Sequence, residues 1–221
     1  MQQTIVITGA NRGIGLELAR QWRQRGDHVI AVVRTASDAL KALDVAIIDG
    51  IDVSRDDHMP ALRSALADTS IDTLYLNAGV MHSESVDDMD FDRIRDQFEI
   101  NTLGPLRVVC ALLDRMHEGG KIGLMTSRMG SIADNDSGAK YGYRISKAGL
   151  NAAGKSLAVD LAPRGIAVAI LHPGFVRTDM TQGNGHIDPP QAAERLIQRM
   201  DALELQDSGT FWHSDGSVLP W

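Results

Sequence analysis

Thr4-Ile5-Val6-Ile7-Thr8-Gly9-Ala10-Asn11-Arg12-Gly13-Ile14-Gly15 is the stretch that decides the fold. Its first half is rich in β-branched residues and reads as a strand. The strand runs into glycines spaced Gly-x-x-x-Gly-x-Gly, and apolar residues at three- and four-residue spacing follow over about 14 to 25, the mark of a helix. Strand, glycine turn and helix in that order make a phosphate-binding turn. Glycine lets the backbone approach a pyrophosphate, and the helix N-terminus offers free N–H groups and a favourable dipole. A tight turn needing glycine for geometry alone is the competing reading, and the flanking strand and helix weigh against it. The spacing differs from the commoner Gly-x-Gly-x-x-Gly.

Outward from this turn, short apolar runs alternate with amphipathic stretches. Thr4 to Thr8, Val29 to Val33, Ala46 to Ile48, Thr73 to Leu76, Ile122 to Thr126 and Ile166 to Leu171 read as strands, with a seventh in Thr210 to His213. Helical patterns occupy about 14 to 25, 55 to 67, 88 to 116, 141 to 162 and 190 to 203. Such alternation predicts an α/β fold of the Rossmann type: one doubly wound parallel sheet of about seven strands with helices on both faces. No repeat or linker divides residues 1–221, so a single domain is expected to carry every site. Gln182-Gly183-Asn184-Gly185 reads as a mobile loop.

Hydrophobic residues make up 43% and charged residues 23% of the chain, typical of a soluble globular enzyme, and a net charge of −7 argues against a nucleic-acid partner. The single cysteine, Cys110, lies in the apolar run Leu106 to Leu113 and is expected to be a small buried hydrophobe, compatible with a reducing compartment. Met1-Gln2-Gln3 leads straight into the first strand without a basic or long apolar leader, and no apolar run approaches the roughly 20 residues of a spanning helix. A cytoplasmic protein without membrane contact or metal ligands is the expectation.

Two features give the phosphate-binding turn a chemistry. The second strand ends at Arg34, where enzymes that prefer NAD commonly place a carboxylate for the ribose hydroxyls. Arg34 and Arg12 together suit a 2′-phosphate, since guanidinium binds phosphate through a two-point fork; NADP(H) is therefore preferred, with NAD(H) as the alternative. Tyr143 and Lys147 stand four residues apart and share a helix face. A phenol with a pKa of about 10 is a poor acid near neutrality, and a neighbouring ammonium pulls that value down.

With the glycine spacing and the Tyr-Lys pair in this order, the chain resembles the classical short-chain dehydrogenase/reductase family over nearly its whole length. The likeness extends to Asp52-Val53, Asn77-Ala78-Gly79, Asn101-Thr102-Leu103-Gly104, Ser127 in Ser127-Arg128-Met129-Gly130-Ser131, and Pro173-Gly174-Phe175-Val176-Arg177-Thr178. Within the family, Ser127 to Ile132, Tyr143 to Asn151, His172 to Met180 and the ending Asp215 to Trp221 look like the C-signal and sniffer-like carbonyl reductase group.

The resemblance implies hydride transfer between a nicotinamide and a small-molecule carbonyl or alcohol. Tyr143 is then the proton donor, Lys147 its cation and a ribose ligand, Ser127 the hydrogen-bond partner of the substrate oxygen, and Asn101 the support for a water leading from Lys147 to solvent. Gly9, Asn11, Arg12, Gly13, Ile14, Gly15, Arg34, Asp52, Val53, Asn77, Ala78 and Gly79 fall on the adenine and phosphate side, while Pro173, Gly174, Val176 and Thr178 fall beside the carboxamide. Ser127 and Tyr143 are 16 positions apart (143 − 127), which suggests that the loop with Asp134-Asn135-Asp136-Ser137-Gly138 bulges over the substrate. Tyr141 has Ile145 and not a lysine four residues on, so it is rejected as the acid; His172, before a turn, and His186, in a glycine loop, are rejected as bases. Asp179 to Pro189 is short and polar where the family usually carries a longer helical lid, so an open substrate site is expected. A homodimer or homotetramer is the family's default. The second functional reading is an NADP(H)-binding signalling or sensor protein of the C-signal kind. The extended epimerase branch has a different glycine spacing and a longer C-terminal part.

Overall fold

The computed structural model describes residues 2–221. Seven strands, β1 (Thr4–Thr8), β2 (His28–Val32), β3 (Ala46–Ile48), β4 (Ile71–Leu76), β5 (Met116–Met125), β6 (Ala167–His172) and β7 (Phe211–His213), form one sheet in the order β3-β2-β1-β4-β5-β6-β7. Every neighbouring pair is parallel. The helices are α1 (Gly13–Gln24), α2 (Asp38–Lys41), α3 (Met59–Ala65), α4 (Phe91–Phe98), α5 (Gly104–Leu112), α6 (Tyr141–Leu161) and α7 (Pro189–Ala202).

Strand periodicity sorts the core into two layers. On β1, Ile5 and Ile7 face one side with Leu18 and Trp22 of α1 and Leu196 of α7, whereas Val6 faces the other with Leu62 of α3, Val108 of α5 and Leu150 of α6. Both faces are covered, which is why the strands read as unbroken apolar runs and not as alternating ones. Each such side chain contributes about 1.5–3 kcal/mol when fully buried, so slipping one strand by a residue is prohibitive. Connections run outward in opposite directions from β1 and β4. The loops that leave these two adjacent strands part company, and a crevice opens at their carboxyl ends.

Three differences from the sequence reading have physical causes. The stretch read as one helix over 88 to 116 begins only at Phe91, where Asp90 caps the N–H groups of Asp92 and Arg93 at 3.0 Å each. It is also interrupted by a π-helical turn at Glu99–Leu103, in which the Gly104 N–H bonds to the Glu99 carbonyl five residues back. Pro105 brings no N–H to the following turn, and such wide turns recur at functional sites. Cys110, expected to be buried, is exposed on α5: Val108, Val109 and Leu112 take the inward positions and leave 110 facing out. The short α2, capped by Ser37 through the Leu40 N–H at 3.1 Å, has too little periodicity to be visible in the sequence. Among the described residues no helix is long and apolar enough to cross a membrane.

Candidate active site

The glycine turn owes its shape to close contacts. Gly9 and Gly13 adopt φ of +71° and +54°, the left-handed region that side chains resist. A Cβ on Gly9 would lie 2.7 Å from the Ala78 Cα, and one on Gly15 would overlap the Gly9 carbonyl oxygen. Asn77 buttresses the turn, its Nδ2 donating to the carbonyls of Gly9 (2.9 Å) and Thr8 (3.2 Å), while the Thr8 hydroxyl accepts from the Asn77 and Ala78 N–H groups. Asn11 ties the turn to the β2–α2 connection, accepting from the Ser37 N–H at 2.9 Å and donating to the Thr35 carbonyl. No side chain caps α1: Arg12, its N-cap residue, is extended and makes no capping bond. The helix N-terminus is left to an outside acceptor.

The crevice holds a cavity of about 430 Å³. Gly9, Asn11 to Gly15, Arg34, Asp52, Val53, Asn77 to Gly79, Tyr143, Lys147, Pro173 and Thr178 all line it, so most of the residues singled out from sequence converge on one space. Arg34 is exposed at the cavity, with the Asp52 carboxylate at 3.9 Å. Burial works to raise the Asp52 pKa, but hydrogen bonds from Ser54 outweigh it and hold the carboxyl below its usual value. Arg12, also exposed, pairs with Asp179 at 3.4 Å. Val176 is buried and pairs with Ile187 in an isolated bridge, which folds the 179–189 segment back on itself.

At the other end, α6 carries Tyr143 and Lys147 one turn apart, with the Lys147 ammonium 5.7 Å from the phenol ring centre. Both are nearly inaccessible to solvent. The Lys147 Nζ donates to the Met125 carbonyl at 2.8 Å. Ser127 follows β5, its hydroxyl accepts from the Met129 N–H at 3.2 Å, and its side chain works to lower the pKa of the Tyr143 phenol. Gly130 brings its loop hard against α6, because a Cβ there would lie 2.7 Å from the Lys147 carbonyl carbon. Asn101 is fully buried in the π-helical turn: its Oδ1 accepts from the Val80 N–H at 2.9 Å, and its Nδ2 donates to the Val80 carbonyl (2.8 Å) and the Ser146 hydroxyl (3.0 Å).

Burial dominates the electrostatics of the pair: it outweighs the lowering influence of Ser127 and holds Tyr143 above its usual value. Burial also pushes Lys147 down to about 7, so its ammonium is only partly present near neutrality. Burial, together with the neighbouring His213, takes His172 down to about 3, which leaves it no base strength. Sequence reasoning missed the partners that act through main chain or modest hydroxyls, namely Met125, Val80 and Ser146. Tyr143-Arg144-Ile145-Ser146-Lys147 places a serine where it reaches Asn101, and that spacing was the one available signal.

Comparison with known proteins follows this geometry. The sequence profile of the short chain dehydrogenases matches residues 3–187. The 1-hydroxy-2-glutathionyl-2-methyl-3-butene dehydrogenase of Rhodococcus sp. (strain AD45) is 42% identical over 224 residues, covering 99% of both chains. Among solved structures, carbonyl reductase Sniffer of D. melanogaster superposes with a TM-score of 0.92 at 30% identity, each chain wholly covered. A short-chain dehydrogenase/reductase from Burkholderia multivorans with bound NADP gives 0.90 at 29% identity, again over all of both chains. The sniffer-like likeness and the seven-stranded Rossmann fold expected from sequence are both found.

Proposed function

The chain belongs to the short-chain dehydrogenase family, and on that premise we propose that it is an NADP(H)-dependent oxidoreductase interconverting a carbonyl and an alcohol, with Tyr143 as general acid and base. One domain, residues 1–221, carries both the cofactor and the substrate site. The observation that carries this reading is the meeting of Ser127, Tyr143 and Lys147 at one end of a crevice whose other end is an uncapped helix N-terminus.

The residues fit the cofactor. Left-handed Gly9 and Gly13 and the bare start of α1 suit a pyrophosphate, and exposed Arg34 suits a 2′-phosphate better than a ribose diol. Asp52 and Val53 would flank the adenine; Pro173, Gly174, Val176 and Thr178 would flank the carboxamide. The NADP bound to the Burkholderia relative supports this choice. When bound, the nicotinamide supplies or accepts the hydride.

In the reducing direction Tyr143 gives its proton to the developing alkoxide, and Ser127 donates a hydrogen bond to the same oxygen. Lys147, one turn on and held by the Met125 carbonyl, places its partly protonated amine beside the phenol. Asn101 fixes Val80 and Ser146 and so sets the floor beneath Lys147. The substrate is a small carbonyl or alcohol compound. The Rhodococcus relative is named for an alcohol that bears a glutathionyl group, and the short 179–189 segment suits a substrate whose bulk stays outside.

The test follows NADPH absorbance with aldehydes, ketones and diketones, and NADP⁺ reduction with a glutathionyl alcohol, for wild type and Tyr143→Phe. General acid catalysis is worth about 10²–10⁴-fold, so the variant should lose that much turnover while still binding NADPH. Undiminished turnover by Tyr143→Phe would refute the assignment.

A further inference from the structure

The Val80–Asn101–Ser146 connection is one of two buried polar rungs between the loop after β4 and α6. The second lies one turn earlier on both sides. Gln97, fully buried on α4, accepts from the His82 N–H at 2.9 Å and donates through Nε2 to the Glu84 Oε1 at 2.7 Å. The Glu84 Oε2 accepts from the Gly142 N–H at 3.1 Å, and the Glu84 carbonyl accepts from the Lys140 N–H at 2.7 Å. Glu84 is itself 2% exposed. Residues 97 and 101, like 142 and 146, are four apart, so the rungs stack along one shared face. Gly142 permits the approach, because a Cβ there would overlap the Gln97 amide and lie 3.0 Å from the Ile94 Cα.

The start of α6 needs such a hold. Gly138, Ala139 and Lys140 are consecutively left-handed, with φ of +62°, +50° and +51°. Non-glycine residues keep that conformation only where their surroundings over-determine it. Lys140 is the N-cap residue of α6 and offers no side-chain cap. Glu84, from a distant loop, takes the cap's place, and the Arg144 Nε braces the same run by donating to the Gly138 and Ala139 carbonyls at 3.1 and 3.2 Å. Tyr143 follows directly.

We propose that Glu84, relayed through Gln97, is a positioning residue for Tyr143: it fixes the first turn of α6 and so the placement of the phenol against Ser127. The proposal rests on the reading of Tyr143 as the acid. It makes a directional demand, since both Glu84 oxygens must accept. Glutamine at 84 sets an NH₂ group against either the Gly142 N–H or the Gln97 NH₂, and flipping Gln97 forfeits the bond from His82. In the double variant E84Q/Q97E the new carboxylate at 97 accepts from both His82 and the amide at 84, whose oxygen accepts from Gly142, so the relay is restored and only the 3.2 Å bond from residue 97 to the Arg93 carbonyl is given up.

The experiment compares wild type, E84Q, E84Q/Q97E and Tyr143→Phe well below their melting temperatures. It reads kcat, NADPH affinity by fluorescence titration, and the tyrosinate absorbance that Tyr143→Phe removes. Displacements near an ångström cost up to about a hundredfold, so E84Q should lower kcat by about ten- to a hundredfold, leave NADPH affinity unchanged and move the Tyr143 titration, and the swap should recover most of the loss. A folded E84Q with wild-type kcat and wild-type titration overturns the proposal, as does an equal loss of NADPH affinity. If E84Q does not fold, the swap decides: folded and active upholds the relay, while unfolded or inactive overturns it. Wild-type turnover in Tyr143→Phe would mark failure of the functional reading; an inactive Tyr143→Phe beside an unaffected E84Q would mark failure of this inference alone.

Discussion

Replacing Lys147 with methionine should remove a rise of stability with pH between about pH 7 and about pH 10.5. Lys147 is 3% exposed, and burial drives its pKa from 10.5 to about 7. The unfolded chain therefore holds this proton more tightly than the folded one. Folding below about pH 7 pays the whole penalty, stability rises with pH from about 7 to about 10.5, and the penalty is gone above that window. At about 1.4 kcal/mol per pH unit the full penalty is about 5 kcal/mol, of which about 2 kcal/mol is regained between about pH 7 and about pH 9. Tyr143, held above its usual value, stays protonated throughout that interval and adds nothing. Methionine keeps much of the apolar stem and removes the titrating group. For a domain of this size about 2 kcal/mol is about 4–8 °C in Tm, so the melting advantage of Lys147→Met at about pH 7 should shrink by that amount at about pH 9. Thermal melts of both proteins across this range decide the matter. Parallel Tm curves would mean that the ammonium is solvated or paired in the folded chain and that the burial argument fails.

Arg34→Ala should raise KM for NADPH by about 10- to 100-fold, the worth of a charged hydrogen-bond pair, and leave kcat/KM for NADH nearly unchanged; steady-state kinetics with both cofactors measure it, and equal losses would dismiss the 2′-phosphate role. Asn101→Ala strands the Val80 N–H and the Val80 carbonyl, while the Ser146 hydroxyl still donates to the Tyr143 carbonyl, and urea titration should show about 2–4 kcal/mol lost; a much smaller loss would mean that water replaces the amide.

The glycine turn, the succession of strands and helices and the Tyr143–Lys147 pair were legible because each rests on local chemistry, a positive φ, a β-branched run or a four-residue helical spacing, whereas the place of Ser127 beside them came from the family resemblance. What stayed hidden depends on partners far along the chain. Nothing local to Met116–Met125 announces that the Met125 carbonyl will receive the Lys147 ammonium, and nothing near Glu84 announces the N-terminus of α6. A neighbouring cation is visible in a sequence, whereas the burial that holds the phenol pKa above its usual value is a property of the packed helix. Cys110 was misplaced because the run Leu106 to Leu113 was taken as uniformly apolar, although a helix buries only one of its faces.

That outward-facing thiol has a practical side. It is the one cysteine in the chain, so a maleimide dye attaches at a single point without mutagenesis. Nine residues beyond Asn101 on a nearly continuous helical run (110 − 101), the dye would stand roughly 13 Å along the axis from the buried asparagine. Reduced nicotinamide is itself fluorescent, so excitation passed from it to the dye would report its binding. Native protein labelled at Cys110 would thus carry an optical ruler that signals arrival of the coenzyme without a group placed in the crevice.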